Sequence, residues 1–166
     1  MALKEEQHVH LKEQVVAKFG IQIENVVVVG SAKLGFSIKP GRRYGLFSNS
    51  SDIDLALVSG VLFERVWKEI FDFESSGAYW PKKEEFANYL FRGWIRPDML
   101  PSGKGFEFTN TWWAFFQQIT ASRQFGPYKI RGALYHAWHF FEAFQRICID
   151  QCKQQAEPLH ENIGHK

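Results

Sequence analysis

The sequence predicts an α/β (α+β) fold: a single domain over residues 1–166 in which short apolar strands alternate with amphipathic helices, ending in a helical C-terminal part. Three observations carry this reading. A run of four valines, Val26 to Val29, stops abruptly at Gly30, the pattern of a central strand buried on both faces. From Asp52 to Val58 the chain alternates, with Ile53, Leu55 and Leu57 on one face and Asp52, Asp54 and Ala56 on the other, which is the period of a pleated strand. Between and around these segments apolar residues recur at helical spacing, and 166 residues suit one domain able to bury a core without cross-links.

Composition narrows the class. The hydrophobic share is 45% with 16 Phe and 6 Trp, an ordinary apolar content that predicts an aromatic-rich core. The formal net charge of +2 is far from that of a dedicated nucleic-acid binder, so nucleic acid is a weakly supported partner and any such contact is local. The N-terminal MALKEEQHVHLKEQ lacks the apolar stretch of a secretory signal, and no run is long enough to span a bilayer. Cys148 and Cys152, the only cysteines, sit four apart in a helical pattern. Two neighbouring thiols suit a reducing compartment, so the cytoplasm is the expected location.

The elements follow in order. Glu5 to Lys18 reads as a short helix through Val9, Leu11, Val15 and Val16, with Gly20 placed for a C-terminal cap. Ile21 to Val29 reads as the first strand. Ser31 to Ser51 is rich in Gly and Ser and reads as a loop, with one helical turn near Ala32 to Phe36. The second strand covers Asp52 to Val58. A helix over Val61 to Glu74 is broken by Ser75-Ser76-Gly77, and Pro81 opens another that ends at Gly93. Trp94 to Leu100 is short and extended, because Pro97 and Pro101 disfavour helix. Two further helices are expected, from about Asn110 to Ser122 and from about Lys129 to Gln155.

The chemistry concentrates in Val26 to Ser59. Strand alternation sets the Asp52 and Asp54 carboxylates side by side, where they repel unless a positive charge lies between them. A divalent cation is the simplest remedy, and hard oxygen ligands favour Mg²⁺ or Mn²⁺. Magnesium keeps water and substrate phosphates in its shell, so a nucleoside triphosphate is the natural partner. Gly30 lets a phosphate approach the backbone, and Ser31 offers an amide and a hydroxyl. Lys33, Lys39, Arg42 and Arg43 lie in the same connection and could neutralise the polyphosphate. The competing reading makes Ser50-Ser51-Asp52 a plain turn with solvated acids.

Val29-Gly30-Ser31 followed by Asp52-Ile53-Asp54-Leu55 resembles the signature of the DNA polymerase β-like nucleotidyltransferase superfamily, small stand-alone members included. Twenty residues, 32 to 51, separate the two halves, more than many small members use, so Pro40 to Ser50 must loop out. The resemblance implies a mixed sheet with flanking helices, a catalytic core over about 20–108 and C-terminal helices over about 109–156. It implies metal-dependent, two-metal transfer of a nucleoside monophosphate to a protein, RNA or small-molecule acceptor, with Asp52 and Asp54 as metal ligands. A third carboxylate on a later strand would act as metal ligand or base. Asp98 is the candidate and Glu107 the fallback. Gly30, Ser31 and Lys33 would bind the nucleotide. A toxin–antitoxin or phage-defence setting, with a protein as partner or acceptor, is the fold-level analogy. The alternative is a catalytically degenerate subunit that binds nucleotide or a protein partner.

Beyond the motif, Lys129 and Arg131 at the start of the last expected helix could face a phosphate. His136 and His139 form a possible metal pair lacking a third ligand, and packing is the simpler use. Leu134, Trp138, Phe141 and Ile147 read as a core-facing stripe. Trp112-Trp113 could stack a base, although a core this aromatic already accounts for them.

Overall fold

A computed structural model describes residues 3–39, 41–42, 44–103 and 105–154. Pro40, Arg43 and the end of the expected last helix at Gln155 lie outside the described residues. The helix α1 (Glu5–Phe19) stops where Gly20 adopts φ 67° and its N–H bonds the Val16 carbonyl, a left-handed cap that glycine tolerates without strain. The expected first strand is shorter than its apolar run. Ile23–Asn25 coils into a 3₁₀ turn, and only β1 (Val26–Val29) is extended. A single helical turn, α2 (Ser31–Leu34), follows, and β2 (Asp52–Val58) spans the residues its alternation indicates.

Next come α3 (Gly60–Ser75), capped by the Ser59 hydroxyl accepting from the Leu62 N–H, α4 (Lys83–Phe91), and a two-residue strand β3 (Trp94–Ile95). The prolines end β3, and Pro97–Met99 forms a 3₁₀ turn. Helix α5 (Glu107–Ser122) precedes β4 (Lys129–Tyr135), and α6 (Trp138–Gln154) closes the described chain. The expectation of one helix from Lys129 onward is therefore corrected: its first seven residues are a strand. The reason is visible in Lys129-Ile130-Arg131-Gly132-Ala133-Leu134-Tyr135, where Ile130 and Leu134 are buried and Lys129 and Arg131 exposed, a period of two.

The mixed four-stranded sheet has the order β1-β2-β4-β3, so β1 is an edge strand rather than the central one its valines predict, with only Val26 and Val28 buried. Strands β1 and β2 are antiparallel, with Val29 opposite Asp54. Strands β2 and β4 are parallel and set Asp52 beside Lys129 and Asp54 beside Arg131. The short β3 pairs only with β4, Trp94 opposite Tyr135.

One face of the sheet carries Val26, Val28, Ile53, Leu55, Leu57, Ile130 and Leu134. They join Leu11 and Val15 of α1, Val66 of α3 and Trp112 and Phe116 of α5 in the main core. Each such side chain contributes about 1.5–3 kcal/mol on burial. Gly132 lies on this face, and a Cβ there would sit 2.5 Å from the Phe116 ring and 2.7 Å from Trp112, so α5 packs onto the missing side chain. The opposite face holds a smaller cluster, Ala56, Val58, Tyr135 and Phe141, flanked by Val27, Val29, Trp94, Ala133 and Phe144. Among the described residues, no helix is long and apolar enough to cross a membrane.

Candidate functional site

The second face of the sheet is only half covered. Helix α6 lies over its apolar end, and the end bearing Asp52, Asp54, Lys129 and Arg131 opens into a cavity of about 960 Å³. Gly30 and Ser31 border it from the tip of β1, and Trp94, Ala133, Tyr135, Phe144 and Cys148 close its apolar end.

Gly30 takes φ 65° and ψ −148°, a conformation open essentially to glycine alone. An added Cβ would lie 3.6 Å from an Asp54 carboxylate oxygen. The Gly-Ser turn therefore stands directly against the acid pair, and the two halves of the sequence motif meet. The long connection between them is a small hairpin. Phe36 bridges Leu46, the Ser37 and Tyr44 N–H groups donate to Gly45 and Ser37 carbonyls, and the Phe47 N–H donates to Gly35. This brings Lys39 back over the site, its Nζ 3.7 Å from Asp54. The serines at 48, 50 and 51 bond among themselves and lead the chain into β2.

Each acid of the cavity has a basic partner. Arg131 lies 3.3 Å from Asp52. Asp98 is gripped side-on by Arg96, through Nε at 3.1 Å and Nη2 at 2.7 Å, while Arg96 also donates to the Tyr89 hydroxyl. Burial pushes the Asp54 carboxyl above its ordinary range; Lys39 pulls it down, Asp52 pushes it further up and Arg131 pulls it down. Burial likewise raises the Tyr135 phenol, with Cys148 and Asp54 adding to the rise, and raises the Cys148 thiol. Lys39, Arg42, Arg96, Lys129 and Arg131 face Asp52, Asp54 and Asp98 across the cavity. The bases outnumber the acids, which suits a polyanionic ligand.

The expected site residues fare differently. Asp52, Asp54, Gly30 and Ser31 line the same cavity. Asp98 also borders the cavity, but from the turn after β3 and inside its pair with Arg96. Glu107 is exposed at the start of α5 and is not part of the cavity lining. Lys33 is exposed and its charge acts on His8 and Lys12 of α1, so Lys39 is the base of this connection that reaches the acids. Trp112 is fully buried against Phe19 and Phe116, whereas Trp113 touches the cavity edge. His136 packs edge-on against Phe63 and Phe140 beside Glu64.

Sequence reasoning placed Lys129 and Arg131 near phosphate on the wrong element, and it missed the aromatic wall of Trp94, Tyr135 and Phe144. The alternation of residues 129–135 was the available signal for both.

Asp52 and Asp54 would supply the one or two carboxylates that magnesium commonly takes from protein when phosphates complete its shell. A three-acid set is not formed: among the described residues, no group of three or more His, Cys, Asp or Glu side chains could hold a metal ion. Comparison of the chain with protein-family models, with curated proteins and with solved structures finds no match in any of the three.

Proposed function

We propose that this cavity is a nucleotide site of the nucleotidyltransferase type, in which a nucleoside triphosphate binds across β2 with one divalent cation and passes its nucleoside monophosphate to an acceptor hydroxyl. One observation carries the reading: Gly30-Ser31 and the Asp52/Asp54 pair, far apart in sequence, converge on a cavity whose other walls are basic and aromatic. Arg131, Lys129 and Lys39 suit the phosphates, and the ring wall of Trp94, Tyr135 and Phe144 suits a base or sugar face.

Asp52 and Asp54 would hold Mg²⁺ or Mn²⁺, which when bound supplies charge neutralisation for the triphosphate. In the transfer, the acceptor oxygen bonds to the α-phosphorus and the bond from that phosphorus to the β-bridging oxygen breaks. Pyrophosphate leaves with the electron pair, and the hydroxyl proton passes to solvent. The chain's share is positioning and charge complementarity. A protein partner or acceptor, an RNA end and a small molecule all fit this chemistry.

A second reading, nucleotide binding without transfer, is favoured by the basic β4. The strand beside β2 carries Lys129 and Arg131 opposite the acids, and Asp98 is held by Arg96, which leaves no free third carboxylate among the described residues of the cavity lining. Incubation with each α-labelled nucleoside triphosphate, Mg²⁺ or Mn²⁺ and cell lysate separates the two. Labelling that disappears in Asp52→Ala/Asp54→Ala supports transfer, and binding with neither label nor pyrophosphate supports the second reading. Absence of both binding and labelling overturns the nucleotide assignment.

A further inference from the structure

We propose that Arg131, with Lys129 beside it on β4, does the work of a second cation, so that the triphosphate is held by fixed side-chain charges and binds even when no metal is present. The inference rests on the nucleotide reading above and deepens it by naming what recognises the polyphosphate.

The register supplies the argument. Parallel neighbours lie about 4.8 Å apart across strands, and the pairs are Asp52 with Lys129 and Asp54 with Arg131. Alternation turns all four toward the same cavity. A second dication placed against β2 would find no further carboxylate on the adjacent strand. It would meet the Arg131 guanidinium, already 3.3 Å from Asp52, and be repelled. Asp98 offers no substitute, since the Arg96 guanidinium engages both of its oxygens.

A phosphate group meets the opposite situation. Arg131 is half exposed at 48%, and its planar fork matches phosphate oxygens better than it matches one distant carboxylate oxygen. Lys129 lines the cavity and is exposed, and no ion pair involves it among the described residues. Lys39, 72% exposed at its end of the Asp54 pair, can exchange the carboxylate for phosphate at small cost, because such a solvated pair is weak. Arriving triphosphate thus releases the two β2 carboxylates from their bases, and one cation can then settle between them.

The test is calorimetric titration of the full chain with inorganic triphosphate and with ATP, in EDTA and in Mg²⁺, for the wild type, Arg131→Ala, Arg131→Lys and Lys129→Ala. Circular dichroism and thermal melting of each variant report its folding. The expected result is wild-type binding in EDTA that Mg²⁺ tightens by less than about tenfold, since one cation adds to charges already in place. Arg131→Ala weakens EDTA binding at least about tenfold, a charge-assisted bidentate contact being worth 1.4 kcal/mol or more. Arg131→Lys keeps part of it, and Lys129→Ala loses less. Wild-type binding that appears only with Mg²⁺ overturns the inference and leaves the nucleotide site standing, as does EDTA binding unchanged in Arg131→Ala. Binding in neither buffer removes the nucleotide site as well.

Discussion

The two faces of this sheet come from alternate residues of the same strands and are built for opposite purposes. On one, Ile53, Leu55, Leu57, Ile130 and Leu134 are buried to 2% exposure or less and are sealed by helices. On the other, one position along, Asp52 and Asp54 keep 31% and 32% of their side chains exposed, with Lys129 and Arg131 as neighbours. The apolar face is closed by packing. The polar face is closed only where Ala56, Val58 and Tyr135 meet Phe141 of α6, and beyond that line charge replaces packing. The period of a strand thus lets a rigid core hold a charged site in register, and the site inherits its precision from the core behind it.

That contrast can be broken first on the closed side. Leu55→Ala removes a side chain 1% exposed and should cost about 3 kcal/mol, a fall of roughly 6–12 °C in Tm for a chain of this size, measured by thermal melting. Gly132→Ala comes next. Its new methyl would press on Phe116 and Trp112, and overpacking of this kind costs about 1–3 kcal/mol, again read as Tm.

The open side gives smaller effects on stability and, for one residue, the opposite sign. The Asp54 carboxyl is raised in the folded chain, chiefly by burial, so between its unfolded and folded pKa values the native state binds more protons. Stability therefore falls as pH rises through that window from about 4 upward. In EDTA, Asp54→Asn should be slightly more stable than the wild type at pH 7 and flatten that slope. Denaturation at a series of pH values checks it, and a variant less stable at pH 7 would count against a strained acid. The smallest contrast lies within one connection: Lys39→Ala should weaken triphosphate binding a few-fold, and Lys33→Ala, facing α1, should leave it unchanged.

Much of this division was legible in the sequence. The valine run, the Gly-Ser end and the alternation of Asp52 to Val58 name β1, the turn and β2 through local pattern alone. Strand β4 was not read, because Lys, Arg, Ala and Leu favour helix, and residues 129–135 run nearly straight into the true helix α6. Its selection as a strand is tertiary: Ile130, Gly132 and Leu134 complete the core face, with α5 packed on Gly132. That Lys39 rather than Lys33 lies over the acids was hidden for a related reason, since the folding-back of the hairpin depends on Phe36 meeting Leu46, a pairing that no short window displays. Asp98 was reached by counting elements, and its grip by Arg96 depends on the turn geometry after β3.

The most direct test of the central claim, that the open face of the sheet is the triphosphate site, is hydrogen–deuterium exchange of the full chain with and without Mg²⁺ and nucleoside triphosphate. The account predicts slowed exchange in the Gly30 to Gly35 turn, the hairpin around Ser37 to Leu46 and the serine turn into Asp52, with α1 and α4 unaffected. Protection confined to α3, α4 or the outer surface of α6, or no protection at saturating ligand, would contradict it.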